Sequence, residues 1–234
     1  MKYHYFICDV FTEQRFGGNQ LAVLPDAQKL SDWQMQQIAR EFNFSETAFV
    51  LPAEAGHTRK VRIFTPTTEI PFAGHPNIGT AFVLAETGAL GKEIPGTVLF
   101  EEKAGLVSIE IQADPGAPTS FELKAPQVLT LQEFPAIGSV AKALSLRENA
   151  IVVTTHAPTV ASVGLPFLFV EVVDSSVLAQ VRIDMARFDR LLVEGAVHYV
   201  HVYTSKTGGT DIQARVFAPL DGVVEDPATG SANC

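Results

Sequence analysis

Glu46, His75 and Asp226 are the titratable residues whose sequence surroundings best suit proton transfer. Glu46 lies in the segment NFSETAFVL, where a helical pattern gives way to a strand pattern. Strand alternation places Glu46 on one face with Ala48 and Val50. An apolar environment disfavours the charged carboxylate and raises its pKa, which suits a general acid or base. The alternative is that Glu46, near the start of its strand, reaches solvent.

His75 and Asp226 occupy equivalent positions in an internal repeat. The repeat pairs two motifs of each half, RIFTP (62–66) with RVFAP (215–219) and HPNIGTA (75–81) with DPATGSA (226–232). Such a repeat indicates duplication, and therefore two domains of one topology about a pseudo-twofold axis. Across that axis the two side chains would face each other, as the titratable groups of a proton-moving site do. Taken singly, His or Asp before Pro is more often structural, and duplication also occurs without chemistry.

Each copy of the repeat predicts a strand, a loop and a helix start made of small residues. The free N–H groups of a first helical turn, together with the helix dipole, attract anions. Thr80 and Ser231 are candidate hydroxyl donors, so two converging helix starts would suit a carboxylate. For one copy alone, the simpler reading is the start of a buried helix. Asn19, after a glycine pair in FGGNQ, could reach the same cleft, although most such asparagines only shape a turn.

Hydrophobic periodicity predicts the elements that must position these residues. Strands rich in Val, Phe and Ile are predicted at 3–10, 20–24, 47–51, 60–65, 98–101, 107–112, 167–173, 197–204 and 212–218. Four helices are predicted at 31–41, 76–86, 135–144 and 176–192, the last one broken near 182–184. The first begins with a capping box formed by Ser31 and Gln34. A turn at 115–118 lies close to the expected domain crossover at 125–130.

Composition and missing motifs exclude several classes of function. A net charge of -9 with no Lys/Arg cluster argues against nucleic-acid binding. Cys8 and Cys234 have no metal-type spacing, and His198 and His201 would lie on opposite faces of a strand, so no metal is expected. There is no Walker loop, GxGxxG or GxSxG motif. Without a signal-peptide pattern or a run of roughly 20 apolar residues, we expect a soluble cytoplasmic protein with no membrane or nucleic-acid partner.

Four segments resemble successive blocks of the PhzF-like isomerases of phenazine biosynthesis, namely DVFTEQRFGGNQLAV, IAREFNFSETAFV, RIFTPTTEIPFAGHPNIGTA and VVEDPATGSAN. The resemblance runs from Asp9 to Asn233. It implies an α+β fold of the diaminopimelate epimerase type, with two pseudo-symmetric domains, each a curved antiparallel sheet around a central helix. We expect these domains at 1–125 and 126–234, in a homodimer. Because the helix following Ala81 has no counterpart before Cys234, the second domain is expected to be incomplete.

Carried over residue by residue, the resemblance implies a cofactor-independent isomerase. Glu46 would move a proton between two carbons of a small anionic carboxylate, with no cofactor and no metal. Because the cysteine pair of related epimerases is missing, two-thiol racemase chemistry is not expected. One candidate substrate is trans-2,3-dihydro-3-hydroxyanthranilate. Alternatives are an epimerase or racemase of an amino-acid-like compound and a non-catalytic ligand-binding protein. The other implied roles are substrate orientation and proton transfer for His75 and Asp226, carboxylate binding for Gly74, Gly230 and Ser231, and cleft lining for Asn19 and Ser45.

Overall fold

Two sheets make up most of the regular structure in the computed structural model, which describes residues 2–112, 119–134, 136–195 and 197–233. Within these residues the first sheet has the strand order β1-β2-β3-β4-β6-β7-β8, and β5 pairs with β4. Its strands are β1 (Phe6–Val10), β2 (Asn19–Leu24), β3 (Glu46–Leu51), β4 (Arg59–Phe64), β5 (Glu69–Ile70), β6 (Thr97–Glu102), β7 (Gly105–Gln112) and β8 (Ser120–Lys124).

The second sheet has the strand order β14-β13-β12-β11-β10-β9. Its strands are β9 (Thr130–Glu133), β10 (Thr159–Ser162), β11 (Pro166–Glu171), β12 (Tyr199–Thr204), β13 (Gln213–Ala218) and β14 (Val223–Asp226). The α-helices of the described chain are α1 (Asp32–Phe42), α2 (Gly74–Glu86), α3 (Ile137–Ala143), α4 (Ser175–Gln180) and α5 (Met185–Gly195).

The internal repeat of the sequence is also a repeat of sheet topology. Strands β1 to β4 pair antiparallel, parallel and antiparallel in turn, and strands β10 to β13 do the same. In the first sheet Thr47 pairs with Phe64, and in the second Val200 pairs with Phe217. Since the two phenylalanines are equivalent in the repeat, Glu46 on β3 corresponds to Tyr199 on β12.

The repeated arginines explain why the Arg-x-Phe motif occurs twice. Arg62 donates two hydrogen bonds of 2.8 Å to Glu69, and Arg215 donates two of 2.7 Å to Glu225. Each guanidinium also lies over the phenylalanine ring of its own motif, at 5.2 and 4.9 Å from the ring centroid. A planar guanidinium fits both a two-oxygen acceptor and an aromatic face, which a lysine does not. In each half, the arginine therefore joins its own strand to a neighbouring strand in the same way, β4 to β5 and β13 to β14.

The helices cover the two sheets differently. Helix α2 is almost entirely buried against the first sheet, with Ala81 and Leu84 in the same core as Val50 and Phe100. The second sheet packs against α3, α4 and α5, which form a separate core with the strand residues of β11 and β12. Residues 227–233 form turns where the sequence predicted the first turn of a second buried helix. Among the described residues, the second half therefore shows no counterpart of α2.

Most predicted elements are confirmed, with shifted ends. Helix α1 has the predicted capping box, and the predicted break separates α4 from α5. Helix α2 starts at Gly74, earlier than predicted, and α3 starts at Ile137; Pro135 and the predicted turn at 115–118 lie outside the described residues. The sheets are mainly antiparallel, but the pairs β2–β3, β4–β6 and β11–β12 are parallel. Short strands β5, β8, β9, β10 and β14 were not predicted.

A domain division at 125/126 remains a proposal, which is supported by the change of sheet between Lys124 and Thr130. Within the described ranges, none of the helices combines the length and apolarity needed to cross a lipid bilayer.

Helix α2 approaches the first sheet closely because Gly79 has no side chain. A Cβ atom there would lie 2.6 Å from Leu21 Cδ2 and 2.8 Å from Val10 Cγ2, both in buried side chains. We therefore expect Gly79→Val to lower the free energy of unfolding by about 2 kcal/mol through overpacking. Gly96→Val, where a Cβ would meet no atom within 4 Å, is the control in urea denaturation. Equal effects of the two substitutions would contradict this account of the packing.

Candidate active site

Glu46 is the first residue of β3 and faces the core between strand and helix. It pairs in register with Leu21 of the parallel strand β2. The next residues on the same strand face, Ala48 and Val50, belong to the core that contains α2. Only 15% of the Glu46 side chain is exposed. The carboxyl group is therefore largely withdrawn from solvent at the end of an apolar strand face. This agrees with the apolar environment predicted from the sequence and not with the alternative that Glu46 reaches solvent.

The surroundings of Glu46 favour its neutral form. Burial raises the pKa of Glu46 well above its ordinary value, and the negative charges of Asp226 and Asp221 raise the pKa further. Oxygen Oε2 accepts no hydrogen bond from the described residues. The His75 imidazole approaches this carboxyl group, but its Nδ1 lies 3.5 Å from Oε2, too far for a good hydrogen bond. Glu46 thus has an unsatisfied oxygen and a high proton affinity.

His75 lies in the first turn of α2 and is neutral at ordinary pH. It is 2% exposed, and this burial lowers the pKa of the imidazole to about 3, against an opposing backbone hydrogen bond at Gln20. Nδ1 of His75 lies 3.3 Å from Nδ2 of Asn19. A neutral imidazole beside Glu46 can accept one hydrogen bond and donate another without adding charge to the cleft.

Asn19, the first residue of β2, joins the two halves of the chain. Its side chain is buried, and Nδ2 donates to Asp226 Oδ1 at 2.7 Å and to the Ala228 carbonyl at 2.9 Å. An amide nitrogen has only two hydrogens. These shorter contacts therefore use both, and the 3.3 Å contact with His75 is the weaker one. Asn19 is thus a bridge between the sheets as well as a lining residue.

Asp226 ends β14 and is held by donors from both halves. Its carboxylate accepts hydrogen bonds from Asn19, from the Thr229 hydroxyl and from Ser45, which directly precedes Glu46. Burial raises the pKa of Asp226, while these hydrogen bonds oppose the rise. The donors fix the orientation of the carboxylate beside Glu46.

The two halves touch through backbone atoms at Gly74 and Gly230. A Cβ on Gly74 would lie 2.5 Å from the Ser231 amide nitrogen and 2.7 Å from Gly230 carbon atoms. A Cβ on Gly230 would in turn meet the His75 amide nitrogen at 3.1 Å. The start of α2 has no side-chain cap, and its His75 amide group lies at this contact. Thr80 is fully buried in the second turn of α2 and lies away from the helix start.

Of the nine candidate residues named from the sequence, the structure brings eight to one place and leaves Thr80 apart, and it adds two more. Tyr199 and Asp221 border the same cavity as Glu46 and Asp226, and the Tyr199 hydroxyl donates to the Asp221 carboxylate. One signal in the sequence points to Tyr199, namely its place in the repeat, but using that signal requires the strand register. No group of His, Cys, Asp and Glu side chains suited to a metal ion occurs in the described part of the chain.

Comparison with known proteins identifies the family. The model of the phenazine biosynthesis-like proteins, PhzC-PhzF, matches residues 8–234. An uncharacterized isomerase of Mesorhizobium japonicum is 38% identical over 238 residues, covering 98% of this chain and 77% of that protein. The trans-2,3-dihydro-3-hydroxyanthranilate isomerase of Pseudomonas chlororaphis is 34% identical over 236 residues, with the same two coverages.

A solved structure of the PhzF family has the same fold. The Bacillus anthracis phenazine biosynthesis protein superposes with a TM-score of 0.85 at 28% identity, covering all of this chain and 78% of that one. The chain therefore belongs to the PhzF-like family of phenazine biosynthesis-like proteins, with their α+β, epimerase-type fold. It is an isomerase of this family.

The raised pKa of Glu46 makes stability depend on pH. A buried carboxyl that holds its proton in the folded state stabilises the fold below the unfolded pKa of about 4.3. That stability is lost as the pH rises toward the folded pKa. We expect Glu46→Gln, which mimics the neutral acid, to unfold at higher urea concentration than the parent at pH 8. The difference should vanish near pH 4. Glu110→Gln on the exposed face of β7 is the control.

A Cβ at Gly74 would meet backbone atoms, which cannot move aside as a side-chain end can. We expect Gly74→Ala to separate the two halves and to lower catalytic turnover at least about 10-fold, because displacements near 1 Å have costs of this order or larger. Gly209→Ala, facing open space, is the control. Parent-like turnover of Gly74→Ala would mean that the backbone contact is not needed.

Proposed function

We propose that the protein is a cofactor-independent isomerase that moves a proton between two carbons of a small carboxylate substrate. Glu46 is the acid/base, and the single observation that carries the proposal is its geometry. Its carboxyl group is largely buried, has an oxygen with no hydrogen bond from the described residues, and opens on a cavity bordered by both halves. A group in this state can take up and release a proton within the cleft.

The proposed reaction has two proton transfers and no net redox change. The Glu46 carboxylate takes a proton from one substrate carbon, and the electron pair of the broken C–H bond passes into the neighbouring π system. The resulting carboxylic acid then gives the same proton to a different carbon of that system. The raised pKa of Glu46 makes the carboxylate a stronger base, and burial keeps the proton from exchanging freely with bulk water.

His75 and Asp226 orient the substrate and assist the transfer in this proposal. The neutral imidazole lies 3.5 Å from Glu46 and can donate a hydrogen bond to a substrate oxygen or nitrogen. Asp226 is held by Asn19, Ser45 and Thr229, so its position is fixed before substrate arrives. Preorganised groups of this kind lower the barrier because they do not reorganise during the reaction.

The substrate carboxylate is assigned to the contact between the halves. Gly74 lets the backbone of Gly230 and Ser231 approach the uncapped start of α2, where N–H groups and the helix dipole favour an anion. Gly230 and Ser231 face this helix start from the other half, and the Ser231 hydroxyl is a further donor. Ser231 borders the same cavity as Glu46 and Asp226. The anion-binding donors and the proton-transferring carboxyl group are therefore close neighbours in the cleft.

A homodimer remains a further proposal, since the fold of one chain does not test it. Sedimentation velocity of the purified protein would test it, with a single monomeric species as the contrary outcome.

The substrate is proposed from the named relatives, and the first compound to test is trans-2,3-dihydro-3-hydroxyanthranilate. We expect the parent protein in deuterated water to produce an isomer of it, or of another compound in a panel of small cyclic and amino-acid carboxylates. Glu46→Gln should lower the rate by at least about 100-fold, the scale of general acid–base catalysis. Mass spectrometry and NMR of the products measure both effects, with Glu110→Gln as the matched control.

The other outcomes separate the competing functions. Inversion at one carbon, seen by chiral analysis, would replace the proposed reaction with epimerisation or racemisation. Binding of a carboxylate without any change or exchange would indicate a ligand-binding protein. Undiminished turnover by Glu46→Gln would remove Glu46 from the acid/base role.

A further inference from the structure

Tyr199 and Asp221 form a buried polar pair on the second half of the cleft. Tyr199 is 8% and Asp221 4% exposed, and the phenolic hydroxyl donates to Asp221 Oδ2. Both residues border the cavity that Glu46 and Asp226 also border. Asp221 ends a 3-10 turn, Pro219–Asp221, and the following Gly222 has a φ of 82°, which directs the chain into β14. The pair is therefore held by local backbone structure and faces the proposed site.

The repeat gives Tyr199 a specific position in the cleft. Tyr199 pairs with Phe167 across the parallel strands β11 and β12, as Glu46 pairs with Leu21 across β2 and β3. The two side chains thus start from equivalent points of the two sheets and approach one cavity from opposite halves. The electrostatic influence of Glu46 on Tyr199 agrees with this, since the charge of Glu46 contributes to raising the pKa of Tyr199. The residue opposite the proposed acid/base is accordingly a phenol with its proton retained.

We propose that Asp221 is a positioning residue of this site, which holds the Tyr199 hydroxyl toward the substrate and acts on Glu46 through its negative charge. The inference rests on the proposed function in so far as it concerns turnover. Because Tyr199 donates its only hydrogen to Asp221, the phenolic oxygen presents lone pairs to the cavity. Tyr199 therefore accepts a hydrogen bond from a substrate N–H or O–H group in this cavity.

Asp221 acts on Glu46 together with a small set of neighbours. Burial is the largest cause of the raised pKa of Glu46, followed by the charges of Asp226 and Asp221. On the side of α2 the facing group is the neutral His75, and on the side of β12 it is the protonated Tyr199. Strand β2 contributes the uncharged Asn19 and Gln20, and on β4 the guanidinium of Arg62 is engaged by Glu69 and Asp32. Asp226 and Asp221 are thus the charges that act on Glu46 inside the cleft.

A purely structural role for the pair makes a different prediction. If Asp221 only satisfied a buried hydroxyl, its loss would destabilise the second half and leave the proton affinity of Glu46 unchanged. The half-buried Tyr203 on the same strand provides the comparison, because its hydroxyl pairs with His156 Nε2 at 2.7 Å. Tyr203→Phe removes a similar hydrogen bond without touching the cavity.

The test is a substrate-free titration of Glu46 in the full chain. Protein labelled with ¹³C at the glutamate carboxyl groups is titrated by NMR, and the Glu46 resonance is identified by its absence in Glu46→Gln. Asp221→Asn should lower the apparent pKa of Glu46 by about one unit, the effect of removing one nearby like charge. Tyr199→Phe, which keeps the charge of Asp221, should leave the Glu46 pKa raised, and Tyr203→Phe should match the parent.

The kinetic arm uses the compound turned over by the parent protein. Asp221→Asn should move the acidic limb of the pH–rate profile to lower pH, and Tyr199→Phe should raise KM several-fold without moving that limb. An unchanged Glu46 titration in Asp221→Asn, or an equal shift in Tyr203→Phe, would overturn the proposal. Should Glu46→Gln retain activity, the proposed function fails, whereas the NMR titration still decides whether Asp221 acts on Glu46.

Discussion

The direct backbone contact between the two halves at Gly74 and Gly230 is the constraint on which the rest of the site depends. Any side chain at Gly74 would occupy the space of the Ser231 amide nitrogen and the Gly230 backbone. With the halves this close, one short polar residue, Asn19, reaches from the first sheet to Asp226 and Ala228 of the second. The distance also brings the charges of Asp226 and Asp221 close enough to act on Glu46. Without this contact, the same residues would line two separate surfaces.

Closing the cleft also creates an electrostatic conflict. Glu46, Asp221 and Asp226 border one cavity, and like charges in a poorly solvated space disfavour simultaneous ionisation. The structure resolves the conflict by giving Asp226 several donors while leaving Glu46 with an unsatisfied oxygen. The proton is therefore held preferentially at Glu46. Natural sites often keep such unfavourable arrangements because activity requires them, at the cost of stability.

The sequence was sufficient for the parts of the site that lie in motifs. Strand alternation placed Glu46 on an apolar face, and the repeat placed His75 and Asp226 at equivalent points. The resemblance to a known family assigned Asn19, Ser45, Gly74, Gly230 and Ser231 to the cleft. Capping chemistry was local enough to locate the start of α1 at Ser31.

The remainder could not be predicted because it depends on contacts far apart in the chain. Tyr199 and Asp221 belong to no motif, and their relation to Glu46 requires the register of β12 against β11 and β13. The turns at 227–233 differ from the helical start of their repeat partner, although the two motifs are alike. Gly79 and Gly230 illustrate this, because they are equivalent in sequence and differ in contacts. Gly79 lies against Leu21 and Val10 of its own sheet, whereas Gly230 lies against the backbone of the other half.

The differences between the two copies of the repeat suit a duplicated fold to the proposed reaction, in which one group both takes up and returns the proton. A symmetric pair of bases would treat both faces of a substrate alike, as inversion at one carbon requires. Here Glu46 corresponds to Tyr199, and a neutral His75 corresponds to an aspartate. Tyrosine, with its pKa raised by burial and by Asp221, keeps its proton, so it is suited to hydrogen bonding and unsuited to accepting a second proton. A cleft with one proton carrier, Glu46, and one fixed hydroxyl, that of Tyr199, favours returning the proton from the side on which it was taken. This agrees with the proposed transfer between two carbons on one face of a substrate.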